Sequence, residues 1–193
     1  MKLINMDTER TLVLFKPDAV QRGIVGEILT RFEKIGLKII GLKMLDAKEE
    51  QLAKHYFKDD EWLIKKGEGI KKNKGYPEDY DSKKAGQEII DGLMKDMCIC
   101  PIIALVLEGH NAVKNIKRLA GPTNIEEALP GTIRGDYSHD TYKLANKKNR
   151  PILTIIHATD NPAESEKEIS IWFNPSEIHS YKKTDEEIHY REF

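Results

Sequence analysis

The sequence predicts an α+β domain of the ferredoxin-like, split β-α-β plan (βαββαβ), in which helices cover an antiparallel sheet. Three observations support this prediction. The length of 193 residues suits one compact domain, 39% of the residues are hydrophobic, and segments follow in the order strand, helix, strand, strand, helix, strand. We therefore predict a single domain over residues 1–193, with insertions at about 58–88 and 137–150.

Hydrophobic spacing predicts the elements of the first half. A short β-branched run ends at Lys16-Pro17, as a buried strand would. The next segment has apolar residues at helical spacing and stops at Gly36, which is typical of an amphipathic helix. The predicted strand, helix, strand and short helix span residues 10–15, 20–35, 37–45 and 48–57.

Residues 58–88 interrupt this pattern. Charges of both signs are dense there, and glycine and proline break every apolar period, at Gly67, Gly69, Gly75 and Pro77. We interpret the segment as a surface insertion. The segment could serve as a lid, as a subunit contact or as a surface decoration without a specific role, and we favour the last two.

The second half follows the same plan. A continuous apolar run predicts a strand over residues 101–107. Asn161-Pro162 has the form of a helix start, with an Asn cap and a proline at the first helical position, for a helix that runs to Trp172. The other predicted segments are helices at 89–97 and 112–120, a glycine-bounded loop at 130–136, a polar stretch at 137–150 and a strand at 151–156.

Composition and charge argue against several classes of function. Lys and Arg number 31 against 32 Asp and Glu, so the chain lacks the overall basic bias of proteins that wrap nucleic acid or bind anionic membranes. The longest apolar run, residues 102–107, is far shorter than a membrane-spanning helix. The two cysteines, Cys98 and Cys100, are too close together for an ordinary disulfide. We expect a cytoplasmic protein with no membrane partner and no specific nucleic-acid partner.

His157 is the first candidate for chemistry. It stands at the end of the predicted last strand, directly before a capped helix, where side chains emerge beside free backbone N–H groups. Glu168 lies eleven residues further on and could hydrogen-bond one imidazole nitrogen, which leaves a lone pair on the other. Taken alone, either residue is also compatible with an ordinary structural or surface position.

Fixed positive charge suitable for binding phosphates is spread over several loops and one helix. The candidate phosphate-binding residues are Lys16, Lys117, Arg118, Thr123 and Arg134. In the split β-α-β plan these segments can meet near the last strand and close on one polyphosphate. Neither G-x-x-x-x-G-K-[ST] nor G-x-G-x-x-G occurs, so the sequence does not support a P-loop or a dinucleotide-binding fold.

Three segments together resemble the nucleoside diphosphate kinase family. They are ERTLVLFKPDAVQRGIVGEILTRFEKIGLKIIGLKML at 9–45, PGTIRGD at 130–136 and IIHATDNPAESEKEISIWF at 155–173. The resemblance covers about residues 9–175 apart from the two insertions. It implies a Mg²⁺-dependent ping-pong enzyme that moves the γ-phosphoryl group of a nucleoside triphosphate, typically ATP, onto a histidine and then onto a nucleoside diphosphate.

The resemblance also implies roles for individual residues. His157 matches the phosphorylated histidine, Glu168 the glutamate that orients it, and Thr159 a serine beside the imidazole. The residues matched to nucleotide contacts are Lys16, Tyr56, Ile89, Leu93, Lys117, Thr123, Arg134 and Thr154. No side chain is matched to the metal, because the nucleotide phosphates would hold most of the Mg²⁺ ligands. A homo-oligomer is implied, commonly a hexamer and sometimes a tetramer.

Three positions depart from the family pattern. Thr154 replaces the usual asparagine, so a contact worth about 1 kcal/mol is shortened or lost. Lys117 replaces an arginine, which loses the forked geometry but keeps the charge. Ile89 replaces an aromatic residue, so stacking on the base is weaker.

Other classes of function remain to be weighed. An RNA-recognition module shares the split β-α-β plan, but its strands carry aromatic residues and neither 37–45 nor 101–107 contains one. A non-catalytic scaffold would keep the fold alone, whereas His157, Glu168 and Lys16 are all retained. A hydrolase would release phosphate from ATP without an acceptor.

Overall fold

A computed structural model describes residues 8–191, which form a four-stranded antiparallel sheet covered by helices. The strands are β1 (Glu9–Phe15), β2 (Lys38–Leu45), β3 (Ile102–Gly109) and β4 (Ile156–Ala158), in the spatial order β2-β3-β1-β4. This order and the antiparallel pairing confirm the predicted ferredoxin-like plan.

Ten α-helices connect or flank these strands within the described residues. They are α1 (Pro17–Gln21), α2 (Val25–Lys34), α3 (Glu49–His55), α4 (Asp60–Lys74), α5 (Ser82–Met97), α6 (Ala112–Ala120), α7 (Ile133–Tyr137), α8 (Tyr142–Lys147), α9 (Pro162–Trp172) and α10 (Glu186–His189). No helix in this part of the chain is long and apolar enough to cross a membrane.

The core lies on both faces of the sheet, and β1 is one of the two central strands. Val13 and Phe15 point to one face, where they pack in a cluster with Phe32 of α2. Leu12 and Leu14 point to the other face, where the cluster includes residues of α3, α5 and α9. All four β1 side chains are fully buried, as the two-residue period of a strand between two layers of helices requires. The strand that carries His157 is thus anchored to a largely buried central strand.

Two predicted helices have the boundaries that their capping signals indicated. Asn161 accepts a hydrogen bond from the backbone N–H of Glu164 at 2.9 Å, and Pro162 is the first residue of α9. Helix α6 ends at Gly121, which has a φ of 78°. Both helices lead directly into or out of the candidate site.

The predicted single helix over 20–35 is wrong. The chain forms α1 and then α2, and Gly23 between them has a φ of 67°. A backbone in the left-handed region cannot continue a right-handed helix, and glycine adopts it without steric cost. Lys16 and Asp18 precede this break, and both form hydrogen bonds with the backbone of Ile155, two residues before His157.

The first insertion is also more regular than the sequence indicated. Residues 60–74 form α4, and the helix predicted over 89–97 begins at Ser82, so the segment is largely a pair of packed helices. A Cβ on Gly67 would lie 1.7 Å from the carbonyl oxygen of Ser82, and one on Gly86 would lie 2.1 Å from that of Leu63. These glycines therefore allow two helix backbones to touch, where the sequence suggested that glycine interrupts helical structure.

Three predictions for residues 130–156 need correction. The predicted loop at 130–136 ends in helix α7, and the polar stretch 137–150 contains helix α8. The strand predicted at 151–156 is shorter than expected and begins later in the chain: β4 spans only Ile156–Ala158. Ile155 has a φ of 67°, so the chain turns sharply just before the strand and residues 151–155 lie outside the sheet.

Candidate active site

His157 is the middle residue of β4 and pairs with Leu14 of β1. The turn before it is tight, since the backbone N–H of Ile156 donates to the carbonyl of Thr154 at 2.7 Å. A β-branched residue in the left-handed region is strained, and such strain persists only where the surroundings enforce it. Here the backbone N–H of Lys16 donates to the carbonyl of Ile155 at 2.9 Å, and the N–H of Ile155 donates to Asp18 at 3.0 Å. The position of His157 is therefore imposed by β1 and the loop after it.

The imidazole of His157 lies within hydrogen-bond distance of Glu168. Its Nε2 lies 2.9 Å from Oε2 and 3.1 Å from Oε1 of Glu168. A carboxylate accepts hydrogen bonds, which assigns the imidazole proton to Nε2 and leaves the lone pair of the neutral ring on Nδ1. The ring is half-buried, so Nδ1 is the nitrogen available for a nucleophilic role.

Glu168 is held in turn by Thr159, so the structure brings these three predicted residues together. The Thr159 hydroxyl donates to Oε2 of Glu168 at 2.6 Å. Burial alone would raise the pKa of Glu168, but the hydrogen bond and charge of His157, with the Thr159 hydroxyl, lower it below its ordinary value. The carboxylate is therefore ionised near neutral pH and can stabilise positive charge on the ring.

His55 completes this cluster, and sequence reasoning missed it. Its ring packs edge-on against that of His157, with centroids 4.4 Å apart and planes at 80°. The indole N–H of Trp172 donates to its Nδ1 at 3.3 Å. Burial, together with the neighbouring charge of His157, lowers the pKa of His55 to about 3. A neutral imidazole thus forms one wall beside His157. One sequence signal could have identified His55, namely its position. It immediately precedes Tyr56 and follows the buried Leu52 at helical spacing.

Lys16 is buried beside this cluster at the end of β1. Burial lowers the pKa of its ammonium group, while the carboxylates of Asp96 and Asp18 oppose that shift. No carboxylate of the described residues lies within ion-pair distance of it. The side chain therefore offers a largely unpaired cation close to the strand that carries His157.

Arg134 is tied to the backbone around the same turn. Its Nε donates to the carbonyl of Thr154 at 3.2 Å, its Nη2 donates to that of Ile156 at 2.9 Å, and its Nη1 donates to that of Gly121. Burial lowers the pKa of this guanidinium. Three of the five donors of the guanidinium are thus engaged, and they bridge both sides of the strained residue Ile155. Arg134 holds the loop that carries His157 and adds a fixed positive charge there.

Lys117 and Thr123 line a cleft of about 330 Å³ next to this loop, together with residues between Arg118 and Thr132. Lys117 forms an ion pair with Asp160, three residues after His157. This pair connects α6 to the His157 segment. Thr123 is exposed in the loop after α6. The structure therefore places both predicted residues at one cleft beside the His157 segment.

Tyr56 lies against His55, with ring centroids 4.9 Å apart. Its hydroxyl is buried without a hydrogen-bond partner among the described residues, and burial raises the pKa of this phenol. A buried hydroxyl without a partner is costly, so this group is ready to accept or donate a bond to a ligand. The structure thus places Tyr56 at the same cluster as His157.

The other predicted contacts are more remote from His157. Ile89 and Leu93 are half-buried on α5 and flank Gly92, where an added Cβ would lie 3.4 Å from Pro151. Pro151 precedes His157 by six residues, so this face of α5 packs against the segment that leads into β4. Thr154 is only 4% exposed, and its carbonyl accepts from Arg134. The surface of Thr154 that a ligand could reach is correspondingly small.

The side chains at the centre do not fit a resident magnesium ion. Ligand atoms of His55, His157 and Glu168 lie within 4.8 Å of one another. Two imidazoles and one carboxylate suit transition metals, whereas Mg²⁺ prefers an octahedron of oxygen ligands. These groups are moreover engaged with one another and with Thr159 and Trp172. These side chains therefore do not form a magnesium site of the protein's own.

Comparisons with known proteins agree on one family. A family model described as nucleoside diphosphate kinase matches residues 9–65 and 64–178. The nucleoside diphosphate kinase of Pyrobaculum aerophilum is 43% identical in an alignment of 183 positions, which covers 90% of this chain and 99% of that relative. The nucleoside diphosphate kinase of Borreliella burgdorferi is 35% identical over 182 residues, 94% of this chain and 97% of that relative.

Solved structures give the same result. The crystal structure of an NDP kinase from Pyrobaculum aerophilum has a TM-score of 0.83 at 40% identity and covers 90% of this chain and all of its own. A transition-state mimic of nucleoside-diphosphate kinase from Borrelia burgdorferi, with bound vanadate and ADP, has a TM-score of 0.78 at 34% identity and covers 95% and 98% of the two chains. The matched region includes every residue of the cluster around His157.

Proposed function

This chain belongs to the nucleoside diphosphate kinase family and is a phosphotransferase of that kind, and we propose that His157 carries the phosphoryl group during transfer. One observation supports this assignment above the others. Nε2 of His157 is bound by Glu168, so the lone pair of the neutral ring lies on Nδ1. Nδ1 is the nucleophile.

The proposed reaction has two balanced steps. Nδ1 attacks the γ-phosphorus of a nucleoside triphosphate, a P–N bond forms, and the bond to the bridging oxygen breaks, with its electrons leaving on the nucleoside diphosphate. A terminal phosphate oxygen of a second diphosphate then attacks the same phosphorus, and the P–N electrons return to Nδ1. The histidine is regenerated, so one site serves both half-reactions.

Glu168 and Thr159 support the nucleophile. Attack through Nδ1 places positive charge on the imidazole, and the ionised Glu168 carboxylate at 2.9 Å from Nε2 stabilises that charge without taking the proton. The Thr159 hydroxyl fixes the carboxylate from the other side. The neutral ring of His55 adds no second positive charge beside His157 and excludes water from one side.

The cations provide the electrostatic part of catalysis. Phosphoryl transfer needs positioned positive charge around the transferred group far more than it needs acid or base chemistry. Lys16 is buried without an ion-pair partner among the described residues, and Arg134 braces the turn at Ile155. Lys117 and Thr123 would hold the phosphates at the outer cleft, and Tyr56 would donate its free hydroxyl to the nucleotide.

The site for the nucleobase is less specific than the site for the phosphates. Ile89 and Leu93 present an apolar face of α5, while Thr154 is largely buried, so apolar contact dominates over hydrogen bonds to the base edge. Apolar contact discriminates weakly between nucleotides. We therefore expect several nucleoside diphosphates to be accepted, with ATP as the typical donor.

Three further properties belong to this proposal. Mg²⁺ enters with the nucleotide phosphates, because the donor set at the centre does not suit it. The enzyme works as a homo-oligomer, a hexamer or a tetramer, as its family resemblance implies. It works in the cytoplasm, where the free thiols of Cys98 and Cys100 stay reduced.

Intact-mass spectrometry tests the covalent relay. The protein is incubated briefly with ATP and Mg²⁺ at neutral to alkaline pH, and a different nucleoside diphosphate is then added. We expect a gain of about 80 Da for one phosphoryl group that is acid-labile, is absent from His157→Ala, and is discharged by the diphosphate. No gain, or an equal gain in His157→Ala, would contradict the proposal. Free phosphate released from ATP alone would indicate a hydrolase instead.

A further inference from the structure

The two inserted segments meet and line an open cleft of about 670 Å³ outside the His157 cluster. One wall is the end of α4 with Tyr76 just beyond it, and the other is α8 with the turn that follows. Lys74 donates a hydrogen bond to the side-chain oxygen of Asn149 at 3.2 Å, so the walls are joined at one point. Segments that are far apart in sequence therefore build one concave surface.

The charge of this cleft is positive. Three lysines line it, Lys74, Lys143 and Lys147, and no acidic side chain does. Lys143 and Lys147 are exposed and have no ion-pair partner among the described residues. The carboxylate of Glu88 is already engaged, because it accepts a hydrogen bond from the hydroxyl of the lining residue Tyr76 at 2.7 Å. In a chain with a net charge of -1, this is a local excess that favours an anion.

The remaining lining residues favour an aromatic ligand. Tyr76 and Tyr142 line the cleft with aromatic rings; Tyr142 is 46% exposed, whereas the Tyr76 ring already packs against Tyr80. Asparagine amides, including that of Asn149, supply both donors and acceptors. Ring faces stack on nucleobases, amides pair with base edges, and ammonium groups bind phosphates. We propose that this cleft is a second nucleotide site, which binds one nucleoside di- or triphosphate apart from the catalytic centre.

The size of the cleft supports a single nucleotide over an extended strand. Sites for small ligands commonly have volumes of about 300 to 1,000 Å³. A cleft of about 670 Å³ lies within that range. A continuous nucleic-acid strand would need an open groove with cations along it.

Both walls lead to the catalytic machinery. Tyr76 binds Glu88, which adjoins Ile89 on α5, and α8 follows the helix that carries Arg134. A nucleotide that draws α4 and α8 together would act on the sides of the substrate cleft. Occupation of the second site should therefore change the KM for substrate nucleotides more than kcat.

The number of ADP molecules bound per chain tests the proposal. Equilibrium dialysis of the full-length protein with labelled ADP should give two sites per chain. The double variant Lys143→Ala/Lys147→Ala should weaken the second site by about tenfold or more, since two charge-assisted contacts are lost, and should keep the first site and kcat. The matched variant Lys34→Ala/Lys114→Ala removes two exposed lysines elsewhere and should still bind two ADP.

Competition experiments define the ligand class. Tyr142→Ala should weaken ADP at the second site and leave the binding of pyrophosphate unchanged. One ADP per chain in the unmodified protein, or a second site that survives Lys143→Ala/Lys147→Ala, would overturn the proposal. Pyrophosphate that displaces ADP with equal affinity would indicate a plain anion site, and an oligonucleotide whose affinity rises with length would indicate a nucleic-acid groove. Failure of His157 phosphorylation would leave these binding counts unchanged, so the two proposals fail separately.

Discussion

The ring of His55 lies edge-on against the ring of His157, with centroids 4.4 Å apart, and it does so as a neutral group. Two charged imidazoles at this distance would repel each other. Burial keeps His55 uncharged, and Trp172 occupies its Nδ1 with an indole hydrogen bond. His55 thus confines His157 on one side while Glu168 orients it on the other.

The first prediction concerns this confinement. His55→Ala should lower the free energy of unfolding by about 2 kcal/mol or more, because it leaves a cavity and an unpaired Trp172 N–H. It should also lower kcat, because the His157 ring gains freedom. His55→Phe keeps a ring at the wall and should recover most of kcat. Urea denaturation and steady-state kinetics measure both effects, and equal kcat values for wild type and His55→Ala would refute the positioning role.

The second prediction concerns pH. The pKa of His55 is about 3 in the folded chain and ordinarily 6.5, so the unfolded chain binds the proton more readily between these values. Stability should therefore be highest above pH 6.5 and fall as the pH decreases toward 3. One such group contributes a slope of up to about 1.4 kcal/mol per pH unit. His55→Phe should flatten the pH dependence of the unfolding free energy, and an unchanged slope would exclude this group as its source.

The third prediction concerns the α4–α5 pair. Gly67→Ala and Gly86→Ala would place a Cβ within about 2 Å of a backbone oxygen of the neighbouring helix, so each should cost about 2 kcal/mol or more of stability. Gly69→Ala is the matched control, because its Cβ would meet nothing within 4 Å and alanine favours a helix. Thermal unfolding measures the series. A loss of stability in Gly69→Ala equal to that in Gly67→Ala would show that helix packing is not the cause.

The fourth prediction concerns Thr154. Thr154→Asn restores the longer amide that the family pattern has at this position, and the recovered contact of about 1 kcal/mol should lower the KM for nucleoside diphosphate roughly fivefold, with kcat retained. Thr154→Ser is the control, because it adds no reach toward the ligand. A KM that does not fall in Thr154→Asn, in a variant that unfolds at the wild-type temperature, would show that the weak contact was misassigned.

Much of the fold could be predicted because its signals are local. The strand β1, the caps of α9 and the end of α6 each follow from a few adjacent residues. The contact between His157 and Glu168 was also expected, because a short loop joins the strand to the helix that follows it and keeps the two elements close together. These features need no knowledge of distant contacts.

The rest depends on contacts that sequence spacing does not report. Gly67 and Gly86 look like helix breakers until a second helix is placed against them. The short β4 follows from the left-handed backbone at Ile155, which Lys16 and Asp18 enforce from far along the chain. His55 was missed for the same reason, since its contact with His157 spans about a hundred residues. In all three cases, contacts between residues far apart in the sequence determine the local structure.

The position of the phosphoryl group on the His157 ring tests the proposed mechanism most directly. NMR spectroscopy of the enzyme labelled with ¹⁵N at histidine, after brief incubation with ATP and Mg²⁺, shows which ring nitrogen is bonded to phosphorus. We predict a P–N bond at Nδ1 with the proton retained on Nε2, because Glu168 holds Nε2 at 2.9 Å. A bond at Nε2, or a phosphoryl group on any other residue, would contradict the assignment of Glu168 and of the nucleophile.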